Sequence, residues 1–211
     1  MSENITNKTA LITGGARRIG AHISEYLHGK GMNVLIHYRQ SESEAKKLKV
    51  KLNKKRRNSA EIFQADLNNE NVYKNLIEFT TDHFKRLDFL INNASSYYPT
   101  PLNKLNITDW NDLLGSNLKA PLFLAKYAAP YLEKTKGSIV NITDTHIKSP
   151  KKSYIIYSIA KAGLVTLTHS LAQELSPNIR VNAVAPGPIL GLMIKMNFQK
   201  LIVKKLLKKH Y

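Results

Sequence analysis

Residues 9–20 read TALITGGARRIG, an apolar run of strand length followed by a glycine-rich turn and the start of an amphipathic segment. Glycines in such a turn permit a tight bend and let backbone N–H groups at a helix start approach a pyrophosphate. Glycine-rich turns are common by chance, so the pattern gains its weight from lying between a first strand and a first helix. The stretch therefore predicts a phosphate-binding turn near the beginning of an α/β domain.

Short apolar runs and longer amphipathic segments continue to alternate beyond this turn. Strands separated by helices indicate right-handed crossovers and a parallel sheet, with ligands at the carboxyl ends of the strands. We predict an α/β fold, a Rossmann-like doubly wound parallel sheet with helices on both faces, as one domain over residues 1–190. Its predicted strands are 9–13, 33–37, 60–64, 87–92, 138–143 and 179–185, and its predicted helices are 19–30, 43–52, 72–84, 108–133 and 154–175.

Length and composition exclude several classes of protein. The 211 residues fit one domain, and the lack of cysteine excludes disulfides, thiolate metal sites and cysteine nucleophiles. No metal site of another kind is predicted. The chain shows neither a signal pattern at its start nor an apolar run of about 18 residues, so we expect a cytoplasmic protein without a membrane partner. The net charge of +17 is compatible with an anionic ligand, nucleic acid or a lysine-rich surface.

Residues 191–211 form an atypical basic tail. From Leu192 onward the chain carries six lysines and no acidic residue. Its apolar residues recur at steps of three and four, the spacing of one helix face, at Ile194, Phe198, Leu201, Ile202 and Leu206. Such a helix could bind a membrane surface or RNA, but we favour a solvated lysine face over a packed apolar stripe.

The end of the second predicted strand carries no acidic residue. Residues 37–41, HYRQS, stand where an NAD-specific site presents Asp or Glu to the ribose 2′-hydroxyl. Arg39, His37 and Ser41 instead offer charge and hydrogen-bond donors that suit a 2′-phosphate, and Arg17 lies in the neighbouring turn. The sequence therefore favours NADPH as cofactor, the alternative being an exposed polar loop.

Tyr157 and Lys161 are four residues apart in a predicted helix, so they share one face. An ammonium near a tyrosine stabilises tyrosinate and lowers the tyrosine pKa from about 10. Hydride delivery from a nicotinamide needs a proton donor of this kind. An isolated Tyr-x-x-x-Lys pair is nevertheless more often an ordinary surface pair.

Five motifs in order resemble the short-chain dehydrogenase/reductase family, from residue 8 to about 190: the turn 13–20, 66–67 (DL), 92–94 (NNA), Asn117 and 157–161 (YSIAK). The resemblance implies that Tyr157 donates the proton, that Lys161 holds the ribose hydroxyls and that Asn117 holds a water behind Lys161. It also implies that Asp66 binds the adenine. The predicted cofactor-binding set is Thr13, Gly14, Arg17, Arg18, Ile19, Gly20, His37, Tyr38, Arg39, Ser41, Asp66, Leu67, Asn92, Asn93, Ala94, Lys161, Pro186 and Gly187.

Two departures from the common family pattern narrow the range of expected substrates. Arg18 replaces the usual middle glycine of the turn, and Asp144 stands where a serine is usual, thirteen residues before the tyrosine. A carboxylate can accept hydrogen bonds from a 2-amino-4-oxo-pteridine or help relay a proton to a ring nitrogen. These departures and the stretch 93–101, NASSYYPTP, resemble pteridine reductases.

That closer resemblance implies roles for individual residues. Tyr97 would stack on the pterin against the nicotinamide, although Tyr97 and Tyr98 could instead merely pack a proline-rich loop. Ser95 and Arg18 would contact the pterin or a cofactor phosphate. The predicted substrate-binding set is Arg18, Ser95, Tyr97, Asp144 and Tyr157, and the predicted catalytic set is Asp144, Tyr157, Lys161 and Asn117.

We therefore expect NADPH-dependent reduction of a dihydropteridine, either dihydrofolate or an unconjugated dihydropterin, to the tetrahydro form. One alternative is a carbonyl or 3-oxoacyl-thioester reductase of the same family. Another is an inactive remnant that only binds nucleotide or polyanions through its positive surface. With the leading hypothesis we expect a small-molecule partner, no nucleic acid, and a homodimer rather than a tetramer.

The end of the chain departs from the family as well. Members normally continue after Pro186 and Gly187 through a substrate-covering helix pair to a seventh strand with a Gly-Gly turn, and we expect that final strand to be missing here. The composition of residues 192–211 suggests a frameshift or premature stop that replaced the tail. Such a loss would expose a sheet edge, leave the substrate pocket open and weaken a subunit contact.

Overall fold

The computed structural model describes residues 5–187 together with residues 202 and 204. Its strands are β1 (Thr9–Ile12), β2 (Asn33–Tyr38), β3 (Ala60–Gln64), β4 (Phe89–Asn92), β5 (Ser138–Ile142) and β6 (Arg180–Val184). Its α-helices are α1 (Arg18–Gly29), α2 (Glu42–Lys55), α3 (Val72–Phe84), α4 (Ile107–Leu114), α5 (Ala120–Thr135) and α6 (Ile155–Glu174).

The six strands form one parallel sheet in the order β3-β2-β1-β4-β5-β6. The chain adds strands outward on one side of β1 and then returns to add β4 on the other side. Ile12 on β1 lies opposite Ile36 on β2 and Ile91 on β4, so the loops that follow these strands start at the same edge. The reversal at β1 and β4 leaves a crevice between loops that diverge to opposite faces.

Both faces of the sheet are buried, which confirms the predicted doubly wound arrangement. Side chains alternate along a strand, so Ala10 and Ile12 pack with residues of α1 and α2, whereas Leu11 packs with residues of α3 and α5. The strands read as continuous apolar runs because helices cover them on both sides.

The predicted helix over residues 108–133 is interrupted in the structure. A π-helical turn at Gly115–Lys119 separates α4 from α5. Pro121 lacks the backbone N–H that would bond to the carbonyl of Asn117, so a regular α-helical ladder cannot run through this point. The turn projects Asn117 toward the loop after β4, where its amide Nδ2 donates to the carbonyl of Ser96 at 3.0 Å.

Helix α6 is long and apolar enough to cross a membrane, judged by length and composition alone. In the structure it packs along β6 and α4, with buried residues spaced three and four apart. Of its most apolar 18-residue stretch 33% is buried inside the structure, so packing against these elements covers only part of the apolar surface of α6.

Two residues of the basic tail are described. Ile202 is helical and 1% exposed, within the cluster under α1 and α2, and Lys204 is helical and exposed. The other tail positions named above lie outside the described residues. Within the part of the sheet that is described, β6 is an outer strand.

Replacing Leu11 by alanine should lower the free energy of unfolding by about 2–5 kcal/mol, because it leaves a cavity at the centre of the sheet. Leu11 is fully buried. Urea unfolding measures the loss, and Val50→Ala on the exposed side of α2 is the control, expected to change stability by less than about 0.5 kcal/mol. Equal losses in the two variants would contradict this account of the core.

Candidate active site

Two cavities lie along the carboxyl ends of the strands, and Ser95 lines both. We call them the Arg39 cleft, of about 280 Å³, and the Tyr157 pocket, of about 200 Å³. The predicted residues that line the Arg39 cleft are Gly14, Arg17, His37, Tyr38, Arg39, Ser41, Asp66, Leu67, Ala94 and Ser95. Those that line the Tyr157 pocket are Ile19, Asn93, Ser95, Asp144, Tyr157, Lys161, Pro186 and Gly187.

The glycine-rich turn is joined to the loop after β4 by four hydrogen bonds. Thr13 Oγ1 accepts from the backbone N–H groups of Asn93 and Ala94, at 2.9 and 3.0 Å. The Asn93 amide donates in return to the carbonyls of Thr13 and Gly14, at 2.9 and 3.0 Å. A Cβ on Gly20 would lie 2.1 Å from the Gly14 carbonyl oxygen, so the turn packs too closely on α1 for any larger residue.

Helix α1 begins at the mouth of the crevice. Its N-cap, Arg17, makes no side-chain cap hydrogen bond, so the first backbone N–H groups of the helix do not donate to a capping side chain. Arg18 follows with φ +49°, a left-handed conformation that favours glycine, and its side chain is exposed. Arg18 lines neither cavity, whereas its sequence neighbours Arg17 and Ile19 line the Arg39 cleft and the Tyr157 pocket respectively. An uncapped helix start beside an arginine fits an anionic phosphate group.

His37 differs from its prediction as a charged partner of a phosphate. Its ring is buried, Nδ1 accepts from the Gly14 N–H at 3.1 Å, and Nε2 lies 3.1 Å from the Ala65 carbonyl. These partners require a neutral ring with the proton on Nε2, and burial lowers the pKa of His37 to about 4. His37 therefore shapes the glycine-rich turn but supplies no positive charge.

Arg39 is held at the cleft by acidic neighbours. Its Nη1 lies 3.2 Å from Asp112 Oδ1 and 3.9 Å from Asp66 Oδ1. Burial alone would raise the pKa of Asp112, but hydrogen bonds, the first from Asn68 at 2.7 Å, lower it overall. Asp112 is thus an anion that orients Arg39. The sequence carried no signal for this pair, because the two residues are 73 positions apart.

The predicted catalytic side chains of Asp144, in the loop after β5, and of Tyr157 and Lys161, on α6, come together in the Tyr157 pocket. The Tyr157 hydroxyl donates to Asp144 Oδ2 at 2.6 Å, and Lys161 Nζ donates to the Ile142 carbonyl at 2.9 Å. Lys161 Nζ lies 5.7 Å from the centroid of the Tyr157 ring. Tyr157 and Lys161 are buried on one face of α6, as their spacing predicts.

The expected lowering of the Tyr157 pKa is wrong for this arrangement. Burial raises the pKa of Tyr157, and the hydrogen bond and negative charge of Asp144 raise it further. Lys161 is directed to a backbone carbonyl rather than to the phenol oxygen, so its charge does not offset these effects. Tyr157 is therefore a protonated donor at neutral pH, with Asp144 as its acceptor.

His146 is a site residue that the sequence analysis missed. Its backbone N–H and its ring Nδ1 each lie 2.8 Å from Asp144 Oδ1. Burial alone would raise the pKa of Asp144, but hydrogen bonds from Tyr157 and His146 lower it, so the carboxylate is ionised. The signal in the sequence was the Asp-x-His spacing, since a short-range cap of this kind joins residues two apart.

Two predicted asparagines have structural hydrogen bonds. Asn117 Oδ1 accepts from Ser95 Oγ at 2.7 Å, and its Nδ2 donates to the carbonyls of Ser96 and Leu113. Asn117 thus anchors the loop after β4, and the water behind Lys161 stays a prediction. Asn92 differs from its prediction, because its side chain is buried in the sheet and donates to Asn141 Oδ1 at 2.8 Å. Asn93 and Ala94 reach the cavities instead.

The two adjacent tyrosines of the loop after β4 behave differently. Tyr97 is 53% exposed, stacks on Tyr154 with ring centroids 4.7 Å apart and meets Tyr157 edge-on at 4.8 Å. Tyr98 packs beside Leu113 and Ile156, where burial, followed by the charge of Asp112, raises its pKa to about 12. Loop packing therefore describes Tyr98, whereas Tyr97 contacts Tyr157, which lines the pocket, and the stacking of Tyr97 on a ligand stays a prediction.

Burial of Lys161 should make stability depend on pH in alkaline solution. Lys161 is 3% exposed, and burial lowers its pKa to about 8, against about 10.4 in an unfolded chain. Between these values the unfolded chain binds a proton that the folded protein has released, so stability rises with pH. From pH 8 to pH 10, the wild type should gain about 2 kcal/mol in free energy of unfolding relative to Lys161→Met.

Urea unfolding at the two pH values measures this difference. Lys126→Met, which removes an exposed lysine of α5, is the control and should follow the wild type. Parallel pH dependence in the wild type and Lys161→Met would contradict the lowered pKa of Lys161.

Comparison with known proteins agrees with this geometry. A family model described as short chain dehydrogenase matches residues 8–201. Pteridine reductase 1 of Leishmania tarentolae is 37% identical over an alignment of 226 residues, which covers 89% of this chain and 78% of that protein. Glucose 1-dehydrogenase 2 of Bacillus subtilis (strain 168) is 30% identical over 193 residues, covering 90% of this chain and 74% of that protein. The chain belongs to the short chain dehydrogenase family of oxidoreductases, whose members use nicotinamide cofactors.

Proposed function

We propose that the protein is an NADPH-dependent reductase of dihydropteridines. The observation that carries the proposal is the 2.6 Å hydrogen bond between the Tyr157 hydroxyl and an ionised Asp144, beside the exposed ring of Tyr97. A phenol and a carboxylate together can give a proton to a ring nitrogen and accept hydrogen bonds from ring N–H groups. The similarity to a pteridine reductase supports the same substrate class.

The residues of the Arg39 cleft fit a phosphorylated dinucleotide. The start of α1 is uncapped and Arg17 and Arg39 line the cleft, while the end of β2 has no acidic residue to receive a ribose 2′-hydroxyl. Arg39 and Ser41 would hold the 2′-phosphate, and Lys161 would hold the nicotinamide ribose. The bound cofactor would supply the hydride and leave as NADP⁺.

The chain's own residues would manage the proton. Reduction of a C=N bond adds a hydride at carbon and a proton at nitrogen, so one donor must be protonated before each turnover. The raised pKa of Tyr157 keeps its hydroxyl protonated at neutral pH, and Asp144 can accept from the pteridine amino and ring N–H groups. His146 holds one carboxylate oxygen of Asp144 and leaves the other directed at Tyr157.

A carbonyl reductase is the second candidate, since a glucose dehydrogenase is also a relative. Asp144 distinguishes the two functions. A ketone offers no N–H group to a carboxylate, whereas a dihydropteridine offers several. The assay below therefore includes a ketone or sugar substrate as well as dihydropteridines.

Removing either proton-handling group should lower turnover. We expect Tyr157→Phe and Asp144→Asn to reduce the rate of NADPH oxidation with a dihydropteridine by about 10²–10⁴-fold. Absorbance of NADPH measures the rate, and Tyr127→Phe on α5, away from both cavities, is the matched control. Full activity in Tyr157→Phe would remove the assigned donor, and turnover of ketones but not of dihydropteridines would favour the second candidate.

Arg39 should determine cofactor preference. Because a charged hydrogen bond to a 2′-phosphate is worth about 1.5–3 kcal/mol, Arg39→Ala should raise the KM for NADPH by about 10–100-fold and leave the KM for NADH nearly as it was. Steady-state kinetics with both cofactors measure the change. Lys54→Ala, an exposed change on α2, is the control. A wild-type enzyme that prefers NADH would contradict the assignment of NADPH.

A further inference from the structure

Helix α2 and the residues that follow it carry a large share of the positive charge of the chain. Residues 42–57 contain eight lysines and arginines and two glutamates. This segment therefore contributes six of the 17 excess positive charges. Helix residues three and four positions apart lie on one face, so their spacing determines where these charges point.

The two sides of α2 differ in composition. Ala45, Leu48 and Leu52 are buried and belong to the apolar cluster on that side of the sheet. The opposite side is exposed, and its side chains border one open groove. We call these six residues the lysine face: Lys46, Lys47, Val50, Lys51, Lys54 and Lys55.

Acidic neighbours neutralise only part of the lysine face. Two of its lysines lie beside carboxylates, at 2.6 and 2.8 Å, in the pairs Lys46–Glu42 and Lys51–Glu25. Lys47, Lys54 and Lys55 form no ion pair with a carboxylate within residues 5–187. Like charges three or four positions apart on a helix repel one another. An anionic partner on this face would relieve that repulsion.

The side chains of the lysine face favour a partner with closely spaced phosphates. A lysine ammonium binds phosphate as a point charge, without a fixed hydrogen-bond geometry. Insertion into a lipid surface needs an exposed apolar stripe, but Val50 is the one exposed apolar residue of α2. Binding of single strands relies on aromatic side chains that stack on the bases, and the lysine face contains none. A nucleic-acid duplex, in contrast, presents its phosphates outward at about one charge per 1.7 Å of axis.

We propose that the lysine face binds the phosphate backbone of a double-stranded nucleic acid without reading its sequence. Lys47 and Lys55 are eight residues apart, which is about 12 Å along α2 at 1.5 Å per residue. A duplex presents about seven phosphates over that length. Residues 42–57 line neither the Arg39 cleft nor the Tyr157 pocket, so a duplex on this face leaves both cavities open.

This proposal changes two expectations drawn from the sequence. It replaces the expectation that no nucleic acid is a partner. Polyanion binding also stood there as an alternative to reductase activity, whereas the lysine face and the two cavities are separate surfaces. The two functions are therefore compatible, and the proposal does not rest on the reduction of a dihydropteridine.

Fluorescence anisotropy with a short labelled duplex, of DNA and of RNA, tests the proposal over about 50–200 mM salt. The triple variant Lys47→Gln, Lys54→Gln and Lys55→Gln removes three charges and keeps a good helix former at each position. We expect it to weaken binding about 10–100-fold at about 50 mM salt. The slope of log Kd against log salt should fall by about 2–3, because each lost phosphate contact removes about one unit.

A second triple variant is the matched control. Lys126→Gln, Lys134→Gln and Lys136→Gln remove three exposed lysines on α5 and at its end, so the net charge falls equally. We expect this variant to bind a duplex within about 3-fold of the wild type and both variants to keep the wild-type Tm, since the changed side chains are exposed.

Four outcomes would overturn the proposal. They are no duplex binding by the wild type at about 50 mM salt, an unchanged salt slope in the lysine-face variant, equal weakening in the two variants, and a loss of binding confined to phosphatidylserine vesicles. A loss of duplex binding in the lysine-face variant alone supports it, whether or not the protein oxidises NADPH with a dihydropteridine.

Discussion

The hydrogen bonds between Thr13 and the loop after β4 are the interaction on which the site depends. Parallel strands carry their loops to one edge, but loops on the two sides of a switch point diverge. The reciprocal bonds of Thr13 with Asn93 and Ala94 hold two such loops at a defined separation. The Arg39 cleft and the Tyr157 pocket then lie on either side of that junction, with Ser95 common to both.

Burial and the charges in the Tyr157 pocket raise the pKa of Tyr157, whereas its spacing from Lys161 predicted a lowered pKa. A tyrosine and a lysine on one helix face suggest a phenol that ionises easily, yet Asp144 is the group that contacts the phenol. Its negative charge and the burial of the ring keep Tyr157 protonated, while His146 keeps Asp144 ionised. Tyr157 therefore keeps its hydroxyl proton and donates it in a hydrogen bond to Asp144. This arrangement suits a substrate that presents both a nitrogen to protonate and N–H groups to bind.

Much of the fold and part of the site could be predicted from the chain. The six strands, the doubly wound sheet and the face shared by Tyr157 and Lys161 follow from local periodicity, which needs no knowledge of distant residues. The break between α4 and α5 is marked in the sequence by Pro121, but the role of Asn117 at that break escaped prediction, because it depends on a bond to Ser96, twenty-one residues earlier. The buried roles of His37 and Asn92 escaped for the same reason, since their partners belong to other strands and loops.

The sequence by itself determined the strands and most of the helices, where the glycine-rich turn lies and which polar residues follow the strands, since these are properties of neighbouring positions. Only the tertiary structure decided which of those residues are charged and where they point. His37 is neutral because its ring is buried between Gly14 and Ala65, and Arg39 is oriented by Asp112, 73 positions away. The charge of a side chain and the direction in which it points depend on burial and on partners brought together by folding. Neither property can be read from spacing along the chain.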